Sequence, residues 1–195
     1  MPEGHGRTHP LPRREARALT VAPQQFYRTA SLPCPYIADR FERKLVTELL
    51  PHDATAFYND LSRAGFRRSH HLAYRPTCAG CSSCVPVRIP VAEFQESRSL
   101  RRIRRTNLDL TIALGEARAS LEQFQLFVRY QRSRHAEGDM AAMTYGDYRA
   151  MIENSPVATR LSKVRDANRQ LVGVGLLDVL DDGVSAVYSF FEPDL

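Results

Sequence analysis

Residues 171–191, with the sequence LVGVGLLDVLDDGVSAVYSFF, decide the fold class. Two apolar runs flank the turn residues Asp181, Asp182 and Gly183, a pattern that predicts an antiparallel hairpin of 171–179 with 184–191. A strand pair this apolar must be covered on at least one face. We therefore expect a mostly antiparallel sheet in an α+β protein, and we expect that a segment covering this strand pair is missing after Leu195.

The segment before the hairpin predicts one strand and two helices. Leucines and isoleucine alternate with small or polar residues over 108–114, which predicts a half-buried strand. Capping-box pairs predict helices that begin after Ser120, ending near Gly138, and after Thr144, ending near Ile152. Helices and strands thus alternate here without a short repeat.

The first half of the chain predicts short helices around a strand region. Apolar spacing predicts a helix over 40–50, and Asp53 and Gly65 bracket a second. A strand-like pattern covers 66–74, and 85–91 is typical of an edge or irregular strand because two prolines interrupt it. A helix starting at Ser97 or Ser99 should turn Leu100 and Ile103 to the core.

Composition limits the class of protein. The chain has 195 residues, too few for a large multidomain machine. Of these residues 43% are hydrophobic and 25% are charged, a composition that supports a buried core. No apolar run approaches the ~18 residues of a membrane span. We expect a soluble, cytoplasmic protein whose residues 1–24 form a basic, disordered leader; Glu3 and Glu15 disfavour the alternative of a transit peptide.

Positive charge is concentrated in one segment. Residues 67–105 hold nine arginines, no lysine and two glutamates, a local net charge of +7 within a chain of +5. Arginine presents a planar fork that matches phosphate and carboxylate oxygens. The segment favours a nucleic-acid surface, with a solvated helix face as the alternative. The candidate binding residues are Arg67, Arg68, Arg75, Arg98, Arg101, Arg102, Arg104 and Arg105.

The cysteines predict a metal or cluster site. Cys78, Cys81 and Cys84 form a CxxCxxC pattern, and Cys34 sits between two prolines that would hold it on a rigid turn. Four sulfurs suffice for a tetrahedral zinc or an iron–sulfur cluster, and the spacing does not choose between them. Reduced free thiols and a pair of disulfides are the alternatives.

Several motifs in order resemble the aminoacyl-tRNA–protein transferases. They cover about residues 26–193, nearly everything outside the leader, and their cysteine pattern is most similar to the bacterial branch that transfers leucine. The motifs are Cys34-Pro35-Tyr36, Gly65-Phe66-Arg67-Arg68-Ser69, Tyr74-Arg75-Pro76, the cysteines, Val85-Pro86-Val87-Arg88-Ile89, Ser97-Arg98-Ser99, Arg101-Arg102, Arg134-His135, Gly138, Met140, 178–183 and Tyr188-Ser189-Phe190-Phe191.

The resemblance implies a GNAT-like acyltransferase fold and a place in the N-degron pathway. Leucine would move from Leu-tRNA to N-terminal Asp or Glu of acceptor proteins, which marks them for degradation, without a nucleotide cofactor. The implied division is a leader at 1–24, a Cys/Arg-rich region at 25–106 and a GNAT-like region at 107–195. Family members continue beyond a position equivalent to Leu195, so we expect this region to lack its C-terminal part.

The proposed chemistry is aminolysis of the ester between amino acid and tRNA. No GxSxG, HExxH or phosphate-binding glycine loop competes with it. Asp178 is the candidate to receive a proton or orient the amine, unless it is a strand-end aspartate held by turn amides. Tyr188 is the second candidate catalytic residue. Tyr188 and Phe190 could stack on the terminal adenine or wall the aminoacyl pocket, and buried core is the alternative for both.

Three other functions remain open at this point. The sister branch transfers arginine instead of leucine. A non-catalytic module that binds RNA or senses redox state would keep the cysteine site and the arginine helix without the reaction. A CoA-dependent acetyltransferase would need a pyrophosphate-binding loop and helix beyond Leu195.

Overall fold

The computed structural model describes residues 24–50 and 53–194. The leader predicted at 1–24 lies outside these ranges except for Gln24. The side-chain Nε2 of Gln24 donates to Thr47 Oγ1 at 2.6 Å. The described residues form an α+β arrangement of two four-stranded antiparallel sheets and a two-stranded ribbon. No helix in the described ranges has the length and apolarity that a bilayer crossing requires.

The N-terminal sheet has the strand order β1-β4-β6-β5, and the ribbon pairs β2 with β3. One helix, α1, connects β4 to β5. The elements are β1 (Tyr27–Arg28), β2 (Leu32–Pro33), β3 (Phe41–Glu42), β4 (Lys44–Glu48), α1 (Ala54–Arg63), β5 (Arg67–Ser69) and β6 (Leu72–Pro76). Gly65 follows α1 with φ of +84°, and a Cβ there would lie 2.8 Å from the Pro86 ring, so only glycine fits this turn.

The helix predicted over 40–50 is wrong, because this segment forms β3 and β4. Apolar residues at 41, 45 and 49 are four apart, and a spacing of four satisfies a period of two as well as one turn of helix. The neighbouring strands decide between the two, since β4 pairs with both β1 and β6. Thr47 and Leu49 are consequently buried on the covered face of the sheet.

The C-terminal sheet has the order β10-β9-β8-β7 and confirms the predicted hairpin. Its core packs Leu126, Phe127, Tyr148 and Ile152 from two helices against Leu161 and neighbouring strand residues. Both predicted capping boxes are present, at Ser120 and Thr144. The elements are α2 (Arg98–Thr106), β7 (Thr111–Glu116), α3 (Leu121–Arg134), α4 (Tyr145–Glu153), β8 (Thr159–Arg165), β9 (Leu171–Leu180) and β10 (Gly183–Phe191).

Two burial predictions near α2 are wrong. Leu100 and Ile103 are 41% and 57% exposed instead of facing the core. On the edge strand β7, Ile112 and Leu114 are 71% and 69% exposed, so the strand exists but is not half-buried. The reason is that no described element covers these faces. Residues 85–91, expected as an irregular strand, pair with no strand and lead into a 3-10 turn, Val91–Glu93.

A buried ion pair joins the two sheets. The guanidinium of Arg68 on β5 donates from Nε and Nη2 to the two carboxylate oxygens of Asp178 on β9, each at 2.7 Å. The side chains are 1% and 0% exposed. Arg68 Nη1 also donates to the His70 carbonyl, and the Thr159 hydroxyl donates to Asp178 Oδ1. All three guanidinium nitrogens of Arg68 and both carboxylate oxygens of Asp178 therefore have partners within the protein.

Apolar and polar contacts around this pair hold the same junction. Val157 and Leu180 from the C-terminal half pack with Tyr58 and Leu61 of α1. The Thr55 hydroxyl accepts from the Ala158 amide at 3.2 Å, so α1 is also hydrogen-bonded to the second half. The N-terminal region of 25–106 and the region of 107–195 each contribute one of the two sheets; the domain boundary itself stays a prediction.

Replacing Arg68 by Met should lower the free energy of unfolding by ~3–5 kcal/mol, because it leaves a buried carboxylate without its cation. The control is Arg165→Met, which breaks a partly exposed pair with Glu122 and should cost about 1 kcal/mol or less. Urea denaturation measures both. The junction is not what we describe if the two variants lose the same stability.

Candidate functional site

An exposed arginine face lies on α2. Ser97 caps the helix by accepting from the Leu100 amide, and the first turn carries no acid. A shallow depression of about 450 Å³ lies on this face. We call it the α2 arginine face, and it is formed by Arg98, Arg101, Arg102, Arg105 and Thr106. None of its four arginines forms an ion pair within the described part of the chain, so their charge is open to an external anion.

Other predicted binding arginines serve the protein itself. Arg104 is bound to Glu96 at 2.8 Å, which lowers the pKa of that carboxyl through the hydrogen bond from Arg104. Arg75 donates to the Ala64 carbonyl and lies over the Phe66 ring. Arg68 is buried against Asp178. The charges of Arg68 and Arg104 are therefore neutralised within the protein, and the Arg75 guanidinium is held against Ala64 and Phe66.

The four cysteines line a single cavity of about 1100 Å³, which we call the cysteine cavity. Its walls are the β2–β3 ribbon, the open face of the N-terminal sheet and the loop of 77–86; Arg67 also lines it. All four cysteines are free thiols, so the disulfide alternative is wrong for this structure. Among the described residues no three His, Cys, Asp or Glu side chains are grouped as metal ligands.

Hydrogen bonds tie the cysteine loop to the ribbon. Arg40 Nη1 donates to the Gly80 carbonyl at 3.2 Å, and the Cys34 amide donates to the Arg40 carbonyl at 2.8 Å. The pKa of the Cys81 thiol is lowered by hydrogen bonds from the Ser83 backbone and side chain and, more weakly, by the Arg40 charge. The donor set suits zinc or a cluster, although the sulfurs would have to move together to share one ion.

Asp178 is not positioned to touch a substrate. It is fully buried, and its oxygens accept from Arg68 and Thr159. The prediction that it receives a proton therefore has no geometric support, and the alternative of turn amides is wrong too, because its partners are side chains from β5 and β8. Its role in this structure is to hold the junction of the two sheets.

Tyr188 and Phe190 belong to the C-terminal sheet. Phe190 is 2% exposed and packs edge-on against Phe127, so it offers no ring face to a base and the core alternative is confirmed for it. Tyr188 is half-buried and its hydroxyl accepts from Gln131 Nε2 at 2.6 Å. Burial raises the pKa of this phenol, which keeps it neutral at physiological pH. Only Tyr188 keeps any access to solvent.

Sequence reasoning missed an ion-pair network at the tip of the hairpin. Arg63 reaches Asp181 at 2.5 Å, and Arg88 reaches Asp182 at 3.0 Å. The pKa of Asp182 is lowered by the hydrogen bond from Arg88 and the charges of Arg88 and Arg63. No local signal could have shown these partners, because they lie 118 and 94 residues apart. Gln131 was missed because a glutamine in a helix is usually exposed, whereas the Gln131 side chain is buried.

Two family models match the chain. The model described as "Arginine-tRNA-protein transferase, N terminus" covers residues 32–102, and the one for the C terminus of the same family covers 122–195. They match in the order expected for the family. The chain belongs to the arginine-tRNA-protein transferase family. Within this family, the cysteine cavity and most of α2 lie in the N-terminal match, and Arg68 and Asp178 join the two matched regions.

Curated relatives place the chain on one branch of this transferase family. A protein of Gluconacetobacter diazotrophicus is 56% identical over 173 residues, which is 89% of this chain and 66% of the relative. Proteins of Paramagnetospirillum magneticum and Granulibacter bethesdensis are each 54% identical over 89% of this chain, and the matches cover 71% and 65% of them. All three are named aspartate/glutamate leucyltransferase. The chain thus spans about two thirds of their length.

Proposed function

We propose that the chain is the part of an aspartate/glutamate leucyltransferase that moves leucine from Leu-tRNA to an N-terminal Asp or Glu. The single observation that carries this proposal is the identity of 54–56% to relatives of that name over 89% of the chain. The reaction would take place in the cytoplasm and mark the acceptor for N-degron degradation. We also propose that β7–β10 with α3 and α4 correspond to a GNAT-like acyltransferase sheet.

The α2 arginine face is the surface that suits the tRNA. It is exposed, and its four arginines have no anionic partner within the described residues. A duplex acceptor stem presents a row of phosphates to such a surface, and most affinity in this kind of contact comes from neutralised phosphates. Arg68, Arg75 and Arg104 are left out of this assignment because their guanidinium groups are bound internally.

The reaction needs positioning more than acid–base power. The α-amine of the acceptor has a reference pKa of ~7.7–8.0, so a useful fraction is neutral at physiological pH. Its nitrogen attacks the ester carbonyl, a C–N bond forms, the C–O bond to the ribose breaks, and the ribose oxygen receives the proton. Holding amine and ester together and stabilising the oxyanion can supply most of the acceleration. Within this scheme Asp178 would act indirectly, by fixing β9 and β10 against the N-terminal sheet.

The cysteines remain a proposed metal or cluster site. Cys34, Cys78, Cys81 and Cys84 would hold the ion, since they line one cavity as reduced thiols. A zinc or an iron–sulfur cluster there would clamp the cysteine loop to the ribbon. No reaction step is assigned to it.

The alternative is a non-catalytic RNA-binding module. The α2 arginine face supports this module as much as it supports the transferase, because a surface that binds RNA can belong to a protein that catalyses no reaction. Product formation separates the two functions.

Transfer is tested with Leu-tRNA or Arg-tRNA charged with labelled amino acid and with peptides that begin with Asp, Glu or Ala. We expect labelled leucine on the Asp and Glu peptides only, as measured by mass spectrometry. Labelled arginine would place the chain on the sister branch. Bound tRNA without any product would support the RNA-binding module instead.

Arg101→Gln/Arg102→Gln should weaken tRNA binding and reduce its salt dependence. The loss of two phosphate contacts makes the negative slope of log K for tRNA binding against log salt shallower by about 1.5. The matched control is Arg132→Gln/Arg149→Gln, which removes two exposed charges from α3 and α4. Filter binding between low and moderate salt measures the slopes. Equal slopes in both double variants would contradict the assignment of the α2 arginine face.

Protein purified without oxygen should contain zinc or iron near one site per chain, as measured by elemental analysis. Cys34→Ser and Cys78→Ser, each made alone, should both lower the metal content, because the two thiols come from different walls of the same cavity. Metal content that is zero in the unaltered chain, or that survives both substitutions, would contradict the proposed site.

A further inference from the structure

More cationic than anionic side chains line the cysteine cavity. Five cations and two carboxylates line it, a net charge of +3. The cations are Arg28, Arg40, Arg43, Lys44 and Arg67, and the carboxylates are Asp39 and Glu42. Even a tetrathiolate zinc centre, with a net charge of −2, would leave the lining positive. An anionic ligand is therefore the natural occupant of this cavity.

Internal pairing removes only part of this charge. Lys44 is bound to Glu42 at 2.8 Å, so these two neutralise each other. Arg40 donates to a backbone carbonyl, which leaves its charge uncompensated. Arg67 forms no ion pair within the described residues, and its pairing with Tyr74 places it on the same face of the N-terminal sheet as Lys44, the face that lines the cavity. Arg28 is paired with Leu45 and therefore lies on the opposite face. The guanidinium groups of Arg40 and Arg67 thus line one cavity without a carboxylate partner among the described residues.

A single unpaired carboxylate faces the same cavity. Asp39 forms no ion pair within the described ranges and has φ of 60°, a left-handed conformation that aspartate tolerates at turns. The turn that holds it is closed by the hydrogen bond from the Cys34 amide to the Arg40 carbonyl. A carboxylate here would repel the phosphates of RNA, yet it can accept a hydrogen bond from an amine. The cavity therefore suits a ligand that carries an amine together with an acid.

We propose that the cysteine cavity binds the acidic N-terminal residue of the acceptor peptide, with Arg67 taking the side-chain carboxylate and Asp39 the α-amino group. This inference rests on the proposed function, and it names the residues that would read the acceptor. An N-terminal Asp or Glu is the peptide terminus that carries both charges on one residue. A cavity of about 1100 Å³ has room for that residue and the one or two that follow.

The α2 arginine face and the cysteine cavity then serve different substrates. The first is an exposed, shallow helix face lined by arginine without an acid, which suits a polyanion. The second is concave and mixes free cations with one free carboxylate, which suits a short zwitterionic terminus. Shape and charge together separate the RNA from the peptide.

Direct binding tests the proposal without requiring transfer. The probe is a short peptide with N-terminal Asp and a fluorophore at its C-terminus, compared with the same peptide beginning with Asn or with N-acetyl-Asp. Fluorescence anisotropy should show the tightest binding for the free Asp terminus. Arg67→Gln should weaken Asp-peptide binding about tenfold, the loss expected for one charge-assisted hydrogen bond, and leave Asn-peptide binding unchanged. Asp39→Asn should remove the discrimination against the acetylated terminus.

Arg149→Gln is the control, because Arg149 lies on α4 and its one ion pair within the described residues is with Glu153 at 3.9 Å. It should leave every peptide affinity unchanged. Equal binding of Asp and Asn peptides by the unaltered chain would overturn the proposal. So would cavity variants that weaken binding of an RNA hairpin and leave the peptide affinity unchanged, since the cavity would then serve the RNA.

Failure of the proposed function is distinguishable from failure of this inference. If the unaltered chain transfers no leucine but binds the Asp peptide with the stated dependence on Arg67 and Asp39, the cavity assignment holds and the transferase assignment does not. If leucine is transferred and the KM for the Asp peptide in Arg67→Gln and Asp39→Asn equals that of the unaltered chain, the transferase assignment holds and the cavity assignment is overturned.

Discussion

The ion pair between Arg68 and Asp178 is the constraint on which the rest of the structure depends. One partner comes from the edge strand of the N-terminal sheet and the other from a central strand of the C-terminal sheet, 110 residues away. Both side chains are shielded from water, so either one alone would be a buried, uncompensated charge. The two sheets must therefore pack in the one relative position that brings Arg68 and Asp178 together. This docking fixes the cysteine cavity relative to the β9–β10 hairpin.

The same pair shows how far sequence reasoning goes. The hairpin of 171–191, α1, α3 and α4 could be predicted, because turn residues, capping boxes and apolar periodicity are local signals. Asp178 was recognisable as an unusual aspartate on an apolar strand, and Arg68 as part of a basic segment. That they bind each other could not be predicted, since nothing local links β5 to β9. Asp178 was consequently assigned a proton-transfer role that its burial does not support.

The remaining errors have a similar origin. The spacing of Phe41, Leu45 and Leu49 fits a helix and a strand equally well, and only pairing with β1 and β6 makes it a strand. Leu100, Ile103 and Ile112 were assigned to a core because they are apolar, whereas no described element covers them. Burial of an apolar residue depends on a neighbour that the local sequence does not contain.

A division of labour follows for the nine arginines of 67–105. Arg68, Arg75, Arg88 and Arg104 stabilise the fold through internal partners, which the sequence could not separate from the others. The remaining five lie on two surfaces: four on the α2 arginine face and Arg67 in the cysteine cavity. A cluster of like charge in a sequence thus resolves into structural pairs and two separate binding surfaces.

Hydrogen–deuterium exchange tests this division of the two surfaces most directly. The chain is measured alone, with a blunt RNA hairpin, and with a peptide that begins with Asp. The account predicts that the RNA slows exchange in α2, residues 98–106, and that the peptide slows exchange in the ribbon and β4, residues 32–48. Protection of the same segment by both ligands, or of the ribbon by the RNA alone, would contradict it.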